Sequence, residues 1–397
     1  MKNNFPQIDH IYIHVPFCRR KCGYCSFYSE IFSAELKQKF LSNLQQEIIL
    51  FQKEFYLKPK TIYFGGGTPS LLAGTEINLI LQNFDLSEIQ EITLEANPIN
   101  ITKKYADEIF QTPINRLSLG IQSFLDKELK LLGRLHDAKQ AENAFQILRK
   151  NDFQNISLDL IYGLPKQTKN DLLFSLEKFI EFNPEHVSTY CLSLEKDVPM
   201  FPQKTAIPPD EMVSGFYYLI RDKLLAAGYL QYEISNFAKP GFGSKHNLCY
   251  WNDKFYLGLG AAASGYIEVF HPACHVEELR RWERSGRIQG KKKIIRYSNP
   301  ADLKEYFRQI ERKQICSNPE EIDPETHEKE YVFLALRKTK GLDIIEFRKK
   351  FAVNFLEKYK LIIEKYRRQN LLEIEGDFVK LTPSACFISN EILSEFV

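Results

Sequence analysis

Three cysteines fall at C-x3-C-x2-C spacing in Tyr12-Ile13-His14-Val15-Pro16-Phe17-Cys18-Arg19-Arg20-Lys21-Cys22-Gly23-Tyr24-Cys25-Ser26-Phe27, in the loop after a short apolar strand. Three thiolates this close can hold three irons of a cubane cluster, and no further cysteine follows within reach of the loop. Four cysteines would close a 4Fe-4S cluster for electron transfer. Three leave one iron open to an exogenous chelator, such as the amino and carboxylate groups of S-adenosylmethionine. Two other readings of the same residues stay open: a structural zinc site with His14 as fourth ligand, or three unrelated buried thiols.

Further polar residues stand where a ligand can be held. Gly65-Gly66-Gly67-Thr68-Pro69 follows a strand and precedes a helix, so its backbone amides can face a bound carboxylate or carbonyl without interference from Cβ; a tight strand-to-helix turn is the alternative. Glu95 closes Ile92-Thr93-Leu94-Glu95, where it can accept hydrogen bonds from a ribose or an ammonium, or form a loop salt bridge. Gln122 and Arg134 are polar residues of the following segments, and Arg134 can hold a ligand carboxylate by a paired hydrogen bond. Asp159, flanked by Leu158, Leu160 and Ile161, needs a partner to offset its desolvation.

These residues need elements to position them. Apolar runs predict strands over 11–15, 61–64, 91–95, 116–121, 156–161 and 186–192, and helical patterns fill the gaps. Ser33 is an N-cap for a helix carrying Leu36, Phe40, Leu44 and Ile48, Thr102 caps another, and Thr168-x-x-Asp171 opens a third with a capping box. Strand, loop and helix alternate six times in the first 230 residues, with connections too long for hairpins, so the strands should run parallel with right-handed crossovers. The expectation is an α/β fold, a partial (β/α)6 TIM-like barrel open on one side. Its chemistry gathers at the carboxyl ends of the strands, where the cysteine loop, the glycine turn, Glu95, Gln122 and Asp159 converge.

The expected domains are a core barrel over 1–235, an irregular connecting region over 236–300, and a C-terminal helical, winged-helix-like domain over 301–397 that ends in a hairpin about Gly376-Asp377. Glu373, Glu375 and Asp377 in the would-be wing repel phosphates, so that domain reads as a packing or docking module. A net charge of +2 in 397 residues gives no ground for nucleic-acid binding. It leaves peripheral membrane contact open. No apolar run reaches the length of a transmembrane segment, Met-Lys-Asn-Asn-Phe-Pro lacks the apolar core of a secretory signal, and the five scattered cysteines have no disulfide spacing, so a cytoplasmic protein is expected.

The run Tyr12-x-His14-x-Pro16-Phe17-Cys18, the glycine turn, Glu95, Gln122, Arg134 and the string from Asp159 to Thr168 together resemble the radical SAM branch that contains the oxygen-independent coproporphyrinogen III oxidases. The resemblance covers nearly the whole chain. It implies a 4Fe-4S cluster on Cys18, Cys22 and Cys25, S-adenosylmethionine contacted by Tyr12, Gly66, Gly67, Thr68, Glu95, Gln122, Arg134 and Asp159, with the glycine run receiving its methionyl amino group, and an electron donor as partner. In that superfamily, cluster and sulfonium together generate a 5'-deoxyadenosyl radical.

Two departures choose within the branch. The coproporphyrinogen enzymes extend the signature to a fourth cysteine, where this chain has Phe27, and carry a long segment before the first strand, where this chain has a few residues. Porphyrinogen decarboxylation is therefore not expected. His246-Asn247-Leu248-Cys249-Tyr250-Trp251 resembles the His-Asn-x-x-Tyr-Trp motif of the HemW haem chaperones, which implies haem bound near His246, Asn247, Tyr250 and Trp251, with His246 a candidate axial ligand. The other reading is a loop whose aromatics plug the barrel's open side and whose histidine caps a turn. Cys249, and Cys274 beside His271 and His275, are further candidates. The expected function is a haem chaperone that passes haem to an acceptor protein, with no catalytic residue assigned. The alternative is a radical SAM oxidoreductase acting on a tetrapyrrole.

Overall fold

The computed structural model describes residues 6–269 and 292–397; His271, Cys274 and His275 lie outside the described residues. Six parallel strands form its centre: β1 (Gln7–Val15), β2 (Tyr56–Gly66), β3 (Glu91–Ala96), β4 (Arg116–Gln122), β5 (Ile156–Tyr162) and β6 (His186–Cys191), each paired with its sequence neighbour. The predicted strands are all present, and Ser33, Thr102 and Thr168 cap the helices they were expected to cap.

The strands alternate by type. Ile11, Ile13, Ile62, Phe64, Ile92, Leu94, Leu117, Leu119, Leu158, Leu160 and Val187 are fully buried and pack in one core with helix residues such as Leu44, Ile77, Ile109, Leu148 and Leu176. Successive strand residues point to opposite faces. The residues between them, His10, Tyr12, Tyr63, Thr93, Glu95, Ser118, Asp159 and Ser188, therefore face the concave side. Barrels of this kind are ordinarily filled by branched apolar layers; this one has a polar lumen suited to a polar ligand.

Among the described residues the sheet has nine strands in linear order, with Leu257–Leu259 and Leu230–Gln231 at its edges and no pairing between the two. The stretch read as irregular in fact completes it. Leu257–Leu259 adds a seventh parallel strand beside β1, and Asn236–Ala238 pairs antiparallel with β6. Strands of three residues are too short to show a period. Gly258 is required there, since a Cβ would lie 2.0 Å from the Ser264 carbonyl oxygen.

The C-terminal part packs helices Pro324–Leu336, Ile344–Phe351 and Lys360–Arg368 against a three-stranded sheet containing the predicted hairpin, around a core of its own. It docks on the amino-terminal end of the barrel. Thr339 donates its amide to the Tyr232 carbonyl at 3.1 Å, and buried Asp253 meets His327 at 2.7 Å and also Lys350.

Candidate functional site

The cysteine loop begins where β1 ends. Phe17–Cys18 pairs in parallel with Glu30–Ile31, placing Ile31 opposite Cys18. The loop is pinned across the barrel mouth: Gly23 donates to the Leu132 carbonyl at 3.3 Å and its own carbonyl accepts from Met200 at 2.9 Å. Cys18, Cys22 and Cys25 are half-buried free thiols. Thr68 Oγ1 donates to Cys18 Sγ at 3.3 Å and Arg134 Nη1 to Cys22 Sγ at 3.5 Å, so two of the three sulfurs have a donor aimed at them. Among the described residues no three His, Cys, Asp or Glu side chains form a group that could hold a single metal ion. His14 is not aimed at the loop as a fourth ligand. It is buried, with Nδ1 3.2 Å from Tyr12 hydroxyl and Nε2 3.0 Å from the Tyr28 carbonyl.

The amides of the glycine turn are not free to face a carboxylate. Gly66, at φ +101°, gives its amide to the Glu95 carboxyl, and Gly67 gives its amide to the Val15 carbonyl at 2.9 Å. With those amides engaged, the turn presents carbonyl oxygens, which accept from an ammonium rather than donate to a carboxylate. A Cβ on Gly67 would lie 2.6 Å from the Phe17 carbonyl oxygen, so only glycine lets turn and loop approach.

Inside the mouth, Glu95 accepts from Tyr63 hydroxyl at 2.7 Å, and burial, reinforced by nearby Asp159, pushes its carboxyl up to about 7. Asp159 accepts from Ser118 at 3.1 Å and is pushed up to about 6, again by burial. Arg134 gives Nη2 to the Gly120 carbonyl at 2.7 Å and Nη1 to Cys22, which fix its guanidinium on two sides. Its Nε is buried without a partner, as is Oε1 of Gln122, a residue at φ +76° on a β4 bulge. Unmatched buried donors and acceptors are costly. Here they sit with two desolvated carboxyls beside three thiols, which fits a ligand carrying ammonium, carboxylate and hydroxyl groups together. Tyr63, Ser118, Tyr24 (hydrogen-bonded to Arg134) and His136 (3.1 Å from the Ile121 carbonyl) were not foreseen. The polar–apolar alternation along each strand was the signal that could have found the first two.

His246 lies at the other end. Thr61 and Glu91, paired in register, mark the amino ends of the aligned strands, about 16 Å along β2 from the glycine turn at the usual rise per residue. The helix Lys245–Trp251 caps this floor: Glu91 accepts from the amides of Lys245 and His246, each at 3.0 Å. His246 has no exposed surface, with Nδ1 2.8 Å from Thr61 Oγ1, Nε2 2.8 Å from Tyr250 hydroxyl, and its ring stacked on Tyr63. Burial pushes its imidazole down to about 3. An imidazole with both nitrogens engaged and no exposed surface is not presented to a haem iron in this structure. Cys249 is buried beside it, Asn247 donates its amide to Ser244 at the helix cap, and Trp251 lies under Arg337 of the C-terminal part at 4.8 Å. The motif is a floor plug and a docking element. No helix among the described residues is long and apolar enough to cross a membrane.

Comparisons with known proteins agree with this geometry. The family model of the radical SAM superfamily matches residues 12–179, and that of the HemN C-terminal domain matches residues 322–388. The chain is 32% identical to the protein named Heme chaperone HemW of Lactococcus lactis subsp. lactis, over 97% of this chain and 96% of that one. To the Bacillus subtilis protein of the same name it is 31% identical, over 97% and 98%. Among solved structures it resembles coproporphyrinogen III oxidase (HemN) from Escherichia coli, described as a radical SAM enzyme, with a TM-score of 0.80 and 20% identity over 99% of this chain and 91% of that chain. At that identity the likeness concerns the fold.

Proposed function

The chain belongs to the HemW family of the radical SAM superfamily, and from that premise we propose that it is a haem chaperone: it binds haem, passes it to an acceptor protein, and carries a 4Fe-4S cluster on Cys18, Cys22 and Cys25 with exchangeable S-adenosylmethionine at the open iron. The observation that carries the reading is end-to-end similarity to proteins bearing that name. When bound, the cluster supplies a redox-active iron with one vacant coordination position. The chain's own residues do the rest. Thr68 and Arg134 hydrogen-bond two of the ligating sulfurs, the carbonyls after Gly66 and Gly67 receive an ammonium, Tyr12 and Glu95 border the ribose, and Gln122 and Asp159 complete the polar wall. Phe27, in place of a fourth cysteine, argues against porphyrinogen oxidation.

The test is anaerobic. Protein reconstituted with iron and sulfide is titrated with haem, offered an apo haem protein, and separately incubated with coproporphyrinogen III, S-adenosylmethionine and a reductant. Haem binding and transfer without turnover is the expected result. Formation of protoporphyrinogen IX would overturn the chaperone reading in favour of the oxidoreductase.

A further inference from the structure

Two large apolar side chains flank the cysteine loop in solvent. Phe27 is 65% exposed and Ile31 61% exposed. Both are fixed relative to the thiols: the Phe27 backbone hydrogen-bonds the Cys25 thiol, and Ile31 lies opposite Cys18 in the short parallel pair. Single exposed apolar residues need no explanation. These two share the loop with Arg19, Arg20 and Lys21, all exposed, and none of the three cations forms an ion pair among the described residues. Phe27 likewise makes no ring contact among the described residues. Two exposed apolar side chains on a loop that also carries three unpaired cations match a flat, apolar ligand edged by carboxylates. The floor motif, in contrast, is sealed.

We propose that haem docks on the outer lip of the cysteine loop, its propionates on Arg19, Arg20 and Lys21 and its macrocycle against Phe27 and Ile31. The inference rests on the haem-chaperone reading and locates its ligand. It puts haem beside the cluster, at the opposite end of the barrel from His246.

The experiment is a haem titration of the full chain, followed by Soret absorbance, on wild type, on Arg19→Glu/Arg20→Glu/Lys21→Glu, and on Phe27→Ser/Ile31→Ser. Each variant should bind about tenfold more weakly or worse, from lost exposed ion pairs in one and lost apolar burial in the other. Haem dimethyl ester should bind wild type as weakly as haem binds the charge-reversed variant, and should be indifferent to the charge reversal. Repeating the series on cluster-free chains keeps the comparison valid where a variant reconstitutes poorly. Unchanged haem affinity in both variants overturns the site while leaving haem binding intact. Wild type that binds no haem removes the chaperone reading and this site together. Charge reversal that abolishes cosedimentation with phosphatidylglycerol vesicles yet spares haem affinity assigns the patch to a membrane surface and overturns the proposal.

Discussion

Replacing His246 by alanine should destabilise the ligand-free protein, a consequence that an axial-ligand role does not predict. The ring has no exposed surface, stacks on Tyr63 with 5.2 Å between centroids, and bridges Thr61 and Tyr250 hydroxyls at 2.8 Å each. Removing it forfeits two hydrogen bonds at about 1 kcal/mol each and opens a cavity worth about 2 kcal/mol more. The sum is about 4 kcal/mol. With a urea slope of roughly 3 kcal/mol per M or more for a chain this long, the midpoint should move down by about 1 M. Urea unfolding followed by far-UV circular dichroism, with no haem present, reads this directly. Burial holds His246 neutral, pushed down to about 3, while the unfolded chain's imidazole takes up a proton below about 6.5. The wild type therefore loses stability as pH falls and the alanine variant does not, so the loss should be somewhat smaller at pH 6 than at pH 8. A variant with the wild-type midpoint and a defect confined to haem binding would refute the plug and restore the ligand.

Other expectations follow from the rim. Alanine at Cys18, Cys22 or Cys25 should each prevent an intact cluster after anaerobic reconstitution; wild-type iron content and visible absorption in all three variants would remove the assignment. Glu95, raised from 4.5 to about 7, keeps in the native state a proton that the unfolded chain has lost. Its contribution to stability therefore falls as pH rises from about 4.5 to about 7 and is level above. A cationic ligand in the lumen prefers the ionised form, so S-adenosylmethionine affinity should rise with pH up to about 7, by at most tenfold per pH unit, and isothermal titration of Glu95→Gln should show a flatter profile. Gly67→Ala pushes a methyl to within 2.6 Å of the Phe17 carbonyl oxygen. It should cost about 1–3 kcal/mol in thermal unfolding and loosen the cluster, and an unperturbed, fully loaded variant would contradict the close approach of turn and loop.

The six strands were legible because each carries a run of apolar residues bounded by polar loops, and the rim because Cys18, Glu95, Gln122 and Asp159 sit at or near strand ends. What the sequence hid was direction. Tyr12, Tyr63 and Thr93 are as much at home on the buried face of a strand as on a lumen, and only the neighbours' hydrogen bonds reveal a polar interior. The glycine turn was found for its lack of Cβ, yet the partners of its amides, Glu95 and Val15, come from other strands. The His246 motif was visible as letters, but its place on the floor depends on Glu91 and Thr61, more than 150 residues away in the chain. The short strands Asn236–Ala238 and Leu257–Leu259 are three residues each and owe their form to β6 and β1.

The most direct measurement is electron paramagnetic resonance of the anaerobically reconstituted, dithionite-reduced protein with and without S-adenosylmethionine. A cluster held by three cysteines, with one iron facing the lumen, should give a 4Fe-4S signal whose g values shift when S-adenosylmethionine is added, and the shift should be lost in Glu95→Ala. A reduced-cluster spectrum that is identical with and without saturating S-adenosylmethionine, or a preparation that holds zinc and no cluster, would contradict it.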